Sequence, residues 1–197
     1  MKLSMPNIFS LSRIIIAPIF LILVVEGGSA NIVIACILFV VGALTDYFDG
    51  WFARRYHEVT KWGKFFDPLA DKFLTTAAFI AFVVLDIIPF WMVAVIIVRD
   101  FGTTAMRAYA DSVQSSIKTS KSAKFKTFLQ MTFIAILLFA LLLRHTGAVE
   151  AALMDSIIYS DGIYISMLAL TLITVWTAIE YLIQNKKLFS TFWSRVV

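Results

Sequence analysis

Residues 31–54 read NIVIACILFVVGALTDYFDGWFAR, an apolar run over 32–44 that passes without a break into Asp46, Asp49, Gly50, Ala53 and Arg54. A helix that crosses a ~30 Å hydrocarbon layer needs about 20 mostly apolar residues, and this stretch is long and apolar enough to be one. Its two aspartates are then out of place, because an ionised side chain at membrane depth is costly and is kept where it has work to do. On a helix Asp46, Asp49, Gly50 and Ala53 fall at offsets 0, 3, 4 and 7. Two carboxylates and two of the smallest side chains therefore share one face, open to something bulky and polar. The small residues have a plainer reading in close helix packing, and each aspartate one in an ion pair with Arg54 or Arg55.

The rest of the chain has the same character. Over 197 residues, 60% are hydrophobic and 15% charged, against roughly 45–50% and about 25% in a soluble domain. That composition excludes both a cytosolic globule and a disordered chain. A single cysteine, Cys36, lies inside the apolar run, so a disulfide framework and a thiolate metal cluster are excluded and a packed small side chain is expected. Long unbroken apolar runs, in place of alternating polarity, indicate helices and not a barrel. Six stretches have spanning length, at about 7–25, 31–53, 67–86, 88–110, 126–144 and 163–184. Breaks fall at Glu26-Gly27-Gly28-Ser29, from Asp86 to Pro89, and at Arg144-His145-Thr146-Gly147. The expected fold is all-α, one integral membrane domain over 1–197 with six transmembrane helices. The first stretch is expected to be retained, since its polar patch from Ser10 to Arg13 departs from a signal-peptide layout.

Basic residues near span ends collect on the cytoplasmic side. Of the 17 Lys and Arg, only Arg144 falls in the first, third or fifth connection, and the other 16 fall at the amino end, the second and fourth connections with their flanks, and the tail. Both termini are therefore expected in the cytoplasm. The net charge of +4 is accounted for by this bias and by attraction to anionic lipid, and nucleic-acid binding is not expected.

After the second stretch the chain reads Gly63-Lys64-Phe65-Phe66-Asp67-Pro68-Leu69-Ala70-Asp71-Lys72, with Asp67 and Asp71 four apart on one helical face. If the second and third helices are antiparallel neighbours, as a short connection favours, four aspartates converge. Such carboxylates repel one another and hold protons unless a cation neutralises them. Oxygen donors without His or Cys favour Mg²⁺ or Mn²⁺, and a two-metal site suits phosphoryl transfer. Asp67, preceding Pro68, has an alternative reading as a helix N-cap.

The pattern Asp46-x2-Asp49-Gly50-x2-Ala53-Arg54-x8-Gly63-x3-Asp67-x3-Asp71 resembles the signature of the CDP-alcohol phosphotransferase family of integral membrane enzymes, with every fixed position filled. Within that family, Pro6-Asn7-Ile8 and Phe66-Asp67-Pro68-Leu69-Ala70-Asp71-Lys72 resemble the branch that makes phosphatidylglycerophosphate. That branch typically carries Arg-Glu, then Gly-Leu-Arg, then Gly-Lys-x-Lys-Thr. Here the segments read Arg99-Asp100, Ala105-Met106-Arg107 and Ala123-Lys124-Phe125-Lys126-Thr127, so the basic positions are kept while Asp100, Ala105, Met106 and Ala123 depart.

The resemblance implies transfer of a phosphatidyl group from CDP-diacylglycerol to glycerol 3-phosphate, with release of CMP, in phospholipid biosynthesis. It implies two Mg²⁺ or Mn²⁺ ions on Asp46, Asp49, Asp67 and Asp71, with Asp71 as base. Asp46, Gly50, Ala53, Arg54 and Gly63 would meet the CDP group. Arg99, Arg107, Lys124 and Lys126 would meet the acceptor phosphate; Arg99 and Arg107 are eight apart on one helix and lie roughly on one face. The family is commonly homodimeric, and the active site would face the cytoplasm at the cell membrane. Competing readings are another acceptor (inositol phosphate, serine or an archaeal-type glycerol phosphate) and, from a different class, a divalent cation transporter using the four aspartates. Glu180, in the last span, has no role in any of them.

Overall fold

The computed structural model describes the backbone of residues 5–56, 61–112 and 121–186, and the side chains of residues 10–45, 69, 70, 72–110 and 122–186. Among the described residues the regular structure is entirely helical: α1 (Met5–Glu26), α2 (Ser29–Tyr56), α3 (Lys61–Val84), α4 (Phe90–Ser112), α5 (Lys121–Thr146), α6 (Ala151–Ile158) and α7 (Asp161–Gln184). The six stretches expected from the sequence correspond to α1–α5 and α7. The extra element, α6, lies in what reads as a loop. Eight residues are too few to hold a helix by propensity alone; burial of Met154 and Ile158 and an ion pair from Arg144 Nε to Asp155 Oδ1 (2.5 Å) hold it.

α3 also begins earlier than expected. Its start at Lys61 puts Asp67 six residues inside the helix, so the N-cap reading of Asp67 is set aside.

Packing follows a seven-residue rhythm. The buried stripe of α1 is Ser10, Arg13, Ala17, Phe20 and Val24, and that of α2 is Ile32, Ala35, Phe39 and Gly42. Alternating steps of three and four keep one seam facing a partner at a shallow crossing angle. Phe20 meets Phe39 across the α1–α2 seam with ring centroids 5.6 Å apart. Gly27 (φ 69°) and Gly28 (φ 85°) make the tight reversal between these two helices in a backbone region that side chains avoid.

On α3 the buried residues include Leu74 and four alanines, Ala70, Ala77, Ala78 and Ala81, whose small side chains let helices approach closely. α1 lies against both α2 and α3, while among the described residues α2 and α3 meet along a short stretch. Within that stretch a Cβ on Gly42 would stand 2.6 Å from Leu74 Cδ2. α4 packs on α3 and α7, and α5 on α2, α6 and α7.

The outward surface is apolar. Ile15, Ile19, Ile22, Ile34, Ile37, Val98, Phe128, Ile136, Phe139 and Trp176 are all exposed, far more apolar surface than water tolerates. Two described stretches, Ser122–Thr146 and Ala151–Gln184, are long and apolar enough to cross a membrane, and Ser29–Thr45 and Lys72–Val84 are shorter apolar helices.

Candidate active site

Of the residues singled out in the sequence, Asp46, Asp49, Gly50, Ala53 and Arg54 belong to α2 and Gly63, Asp67 and Asp71 to α3. Their side chains lie outside the described residues. The basic group is described, and the structure brings most of it together. A cavity of about 460 Å³ opens between α3, α4 and α5, a size within the range of small-molecule sites. Arg99 and Arg107 enter it from α4, Lys124 from α5 and Lys72 from α3. Eight residues on α4 are a little over two turns, so both arginines reach the same cavity.

Lys126 does not line the cavity. Its side chain is fully buried beneath it (0% exposed). Its Nζ donates to Asp100 Oδ1 at 2.7 Å, Asp100 Oδ2 at 2.8 Å and Gln130 Oε1 at 2.6 Å. The physical reason is visible in the spacing: side chains two apart on a helix point to nearly opposite sides, so Lys124 and Lys126 cannot face the same space.

Asp100 sits at the centre of this support, 4% exposed. Besides Lys126 it accepts a hydrogen bond from Arg99 Nη1 at 3.1 Å, while Arg99 Nη2 donates to Thr177 Oγ1 of α7 at 3.1 Å. Thr177 in turn donates to Thr174 O at 2.9 Å. The guanidinium of Arg99 is thus clamped from α4 and α7 with its charge presented to the cavity. Arg99 thus combines a structural ion pair with Asp100 and a place in the cavity lining. Four cationic side chains, Lys72, Arg99, Arg107 and Lys124, line the cavity, and two cations, Arg99 and Lys126, bind the buried Asp100 carboxylate. An anion with more than one negative charge is what such a cavity attracts.

Three threonines complete the lining. Thr103 donates to Arg99 O (3.0 Å), Thr104 to Asp100 O (2.8 Å) and Thr127 to Ala123 O (3.1 Å). With the hydroxyl proton committed to the backbone, each presents only lone pairs to the cavity. The sequence reading did not single out Lys72 for this site, although it follows Asp71 directly. Glu180, which had no role, accepts hydrogen bonds from Ser122 and from Gln184 Nε2 and so ties α7 to α5.

An apolar-surfaced helical bundle with a cationic cavity among its helices defines an integral membrane protein that handles an anionic ligand. Residues 3–180 match the family model of CDP-alcohol phosphatidyltransferase, and the chain belongs to that family of membrane transferases. It is 38% identical to the CDP-diacylglycerol–glycerol-3-phosphate 3-phosphatidyltransferase of Bacillus subtilis over 68% of this chain and 76% of the relative. It is 35% identical to a probable phosphatidylglycerophosphate synthase of Mycobacterium tuberculosis, over 90% of this chain and 79% of that protein. A Salmonella paratyphi A protein bearing the first of these names is 31% identical, over 92% and 94% respectively.

Proposed function

We propose that the protein transfers the phosphatidyl group of CDP-diacylglycerol to glycerol 3-phosphate, giving phosphatidylglycerophosphate and CMP. The observation that carries this reading is the packing register. The buried stripe of α2, Ile32, Ala35, Phe39 and Gly42, continues in the same steps of four and three to Asp46, Asp49 and Ala53. The buried positions of α3, Ala81, Ala77, Leu74 and Ala70, continue backwards to Asp67 and Gly63. Thr75, Ala78 and Phe82 lie on the adjoining row that Asp71 begins. Gly42 meets Leu74, one turn from Asp46 and from Asp71, so the register favours convergence of the four aspartates beyond that contact.

Four carboxylates without His or Cys are a hard oxygen donor set that suits Mg²⁺ or Mn²⁺. Asp46, Asp49, Asp67 and Asp71 would hold two such ions, which supply positive charge for the pyrophosphate and the departing nucleotide. Gly50 and Ala53 leave room for the nucleotide against α2, with Arg54 and Gly63 beside it. Arg99, Arg107, Lys124 and Lys72 hold the acceptor's phosphate dianion, while Lys126 acts from below by fixing Asp100. Asp71, next in sequence to the cavity-lining Lys72, accepts the proton of the attacking hydroxyl as it aligns with the lipid-bearing phosphorus. The P–O bond to CMP breaks as the new P–O bond forms, and CMP leaves with the electron pair.

In this reading α1–α5 and α7 are six spans. Both termini and the site face the cytoplasm at the cell membrane, and the enzyme acts as a homodimer. Measurement of CMP release from CDP-diacylglycerol with glycerol 3-phosphate, inositol phosphate and serine as acceptors, with and without Mg²⁺ or Mn²⁺, tests it. Glycerol 3-phosphate is expected to be preferred, and chelation to abolish turnover. Preference for serine would contradict the role of the cationic cavity, and metal flux into vesicles without CMP would show a transporter instead. Asp71→Asn is expected to lower kcat by about 10²–10⁴-fold, the ordinary range for loss of a general base.

A further inference from the structure

A charged side chain that the proposed reaction does not use is buried in the bundle. Arg13 of α1 is 1% exposed and ranks among the largest fully buried side chains. A guanidinium stays protonated in a protein, and its burial is tolerated only against an anion. Among the described residues the acidic side chains of α1–α3 are Glu26 and Asp86. Glu26 stands thirteen residues along α1, about 20 Å away at the helical rise, and Asp86 lies in the turn beyond the far end of α3.

The register of the α1–α2 seam indicates the partner. Phe20 and Phe39 face each other, and the two helices run antiparallel across the Gly27-Gly28 reversal. Seven residues back on α1 is Arg13, and seven residues forward on α2 is Asp46. Seven residues are close to two full turns, so a face that meets at one level meets again at the other. Ser10, buried on the same stripe, comes level with Asp49 by the same step.

We propose that Arg13 is a positioning residue for the aspartate stripe, paired with Asp46 across the α1–α2 seam. The pairing offsets part of the repulsion among the four aspartates and ties the site to α1, which packs against both helices that carry it. The functional half of this inference rests on Asp46 serving the site as proposed above; the pairing itself does not.

Two measurements separate these halves. In the metal-free purified protein, Arg13→Met is expected to lower the thermal midpoint by roughly 5–10 °C. Asp46→Asn added to it is expected to recover at least half of that loss, because the stranded carboxylate is gone. Additive losses would overturn the pairing. For function, Mn²⁺ binding to the purified protein is followed by the resonance signal of free Mn²⁺, alongside CMP release. Arg13→Gln is expected to weaken Mn²⁺ binding tenfold or more and to lower kcat, with KM for glycerol 3-phosphate within about twofold of the parent. Arg13→Lys, the milder variant, is expected to restore part of both. Unchanged or tighter Mn²⁺ binding, or a rise in KM for the acceptor alone, would overturn the positioning role. A parent protein that releases no CMP would sink the proposed reaction while the thermal cycle still decides the pair.

Discussion

Arg99 and Lys126 both touch Asp100, yet they do different work, and substitution separates them. Arg99 lines the cavity and is held by Asp100 and Thr177. Arg99→Gln removes a charge-assisted contact of about 1.5–3 kcal/mol to an anionic ligand, so KM for glycerol 3-phosphate is expected to rise roughly tenfold to a hundredfold by steady-state kinetics. The Asp100–Lys126 pair survives that change, and the thermal midpoint is expected to move little. Lys126→Met instead strands Asp100 with one donor in a buried setting, a loss of about 3 kcal/mol or more, and a clear fall in the thermal midpoint is expected. Asp100 closes this network with both oxygens on one ammonium. The paired arginines were legible in the sequence because eight residues on a helix put Arg99 and Arg107 roughly on one face. The burial of Lys126 was legible only in its two-residue offset from Lys124.

At the scale of elements, the contact between α2 and α3 among the described residues is short, and Gly42 is what permits it. A Cβ at this position would meet Leu74 at 2.6 Å, and Leu74 is itself buried, so its side chain has no open space to swing into. Gly42→Val is therefore expected to cost about 1–3 kcal/mol by overpacking and to lower CMP release, because the contact lies one turn from Asp46 and Asp71. Leu74→Ala in the same chain is expected to restore much of both; failure of that rescue, read by thermal midpoint and turnover, would show that the contact is not what aligns the helices. Among the described residues α2 and α3 do meet, as their short connection favours. α1 packs against both, which no local pattern announces, since a stripe records that a face is buried and not what buries it. α6 escaped the sequence reading for a related reason: its eight residues are helical because Met154 and Ile158 are buried and Asp155 meets Arg144.

For the molecule as a whole, the charge distribution predicts one orientation. In a chain whose Cys36 is replaced by serine, a cysteine at the exposed Ser29 position, at the start of α2, is expected to react with a membrane-impermeant maleimide on intact cells. One at the exposed Lys186 position is expected to react only after permeabilisation. Labelling in the reverse order would invert the topology and move the proposed site out of the cytoplasm. The one basic residue assigned to the opposite face, Arg144, is engaged with Asp155 at 2.5 Å, so it is spent on structure. Composition and apolar periodicity alone determined that this chain is a helical membrane protein, because no water-soluble fold can hide so much apolar surface. The spacing of Asp46 to Asp71 alone carried the family resemblance, since a helix converts residue spacing directly into shared faces. Only the tertiary structure decided which cations share a cavity, that Lys126 supports it from beneath, and that α1 carries a buried arginine. Those relations depend on how separate helices meet, and the periodicity within any one helix does not contain them.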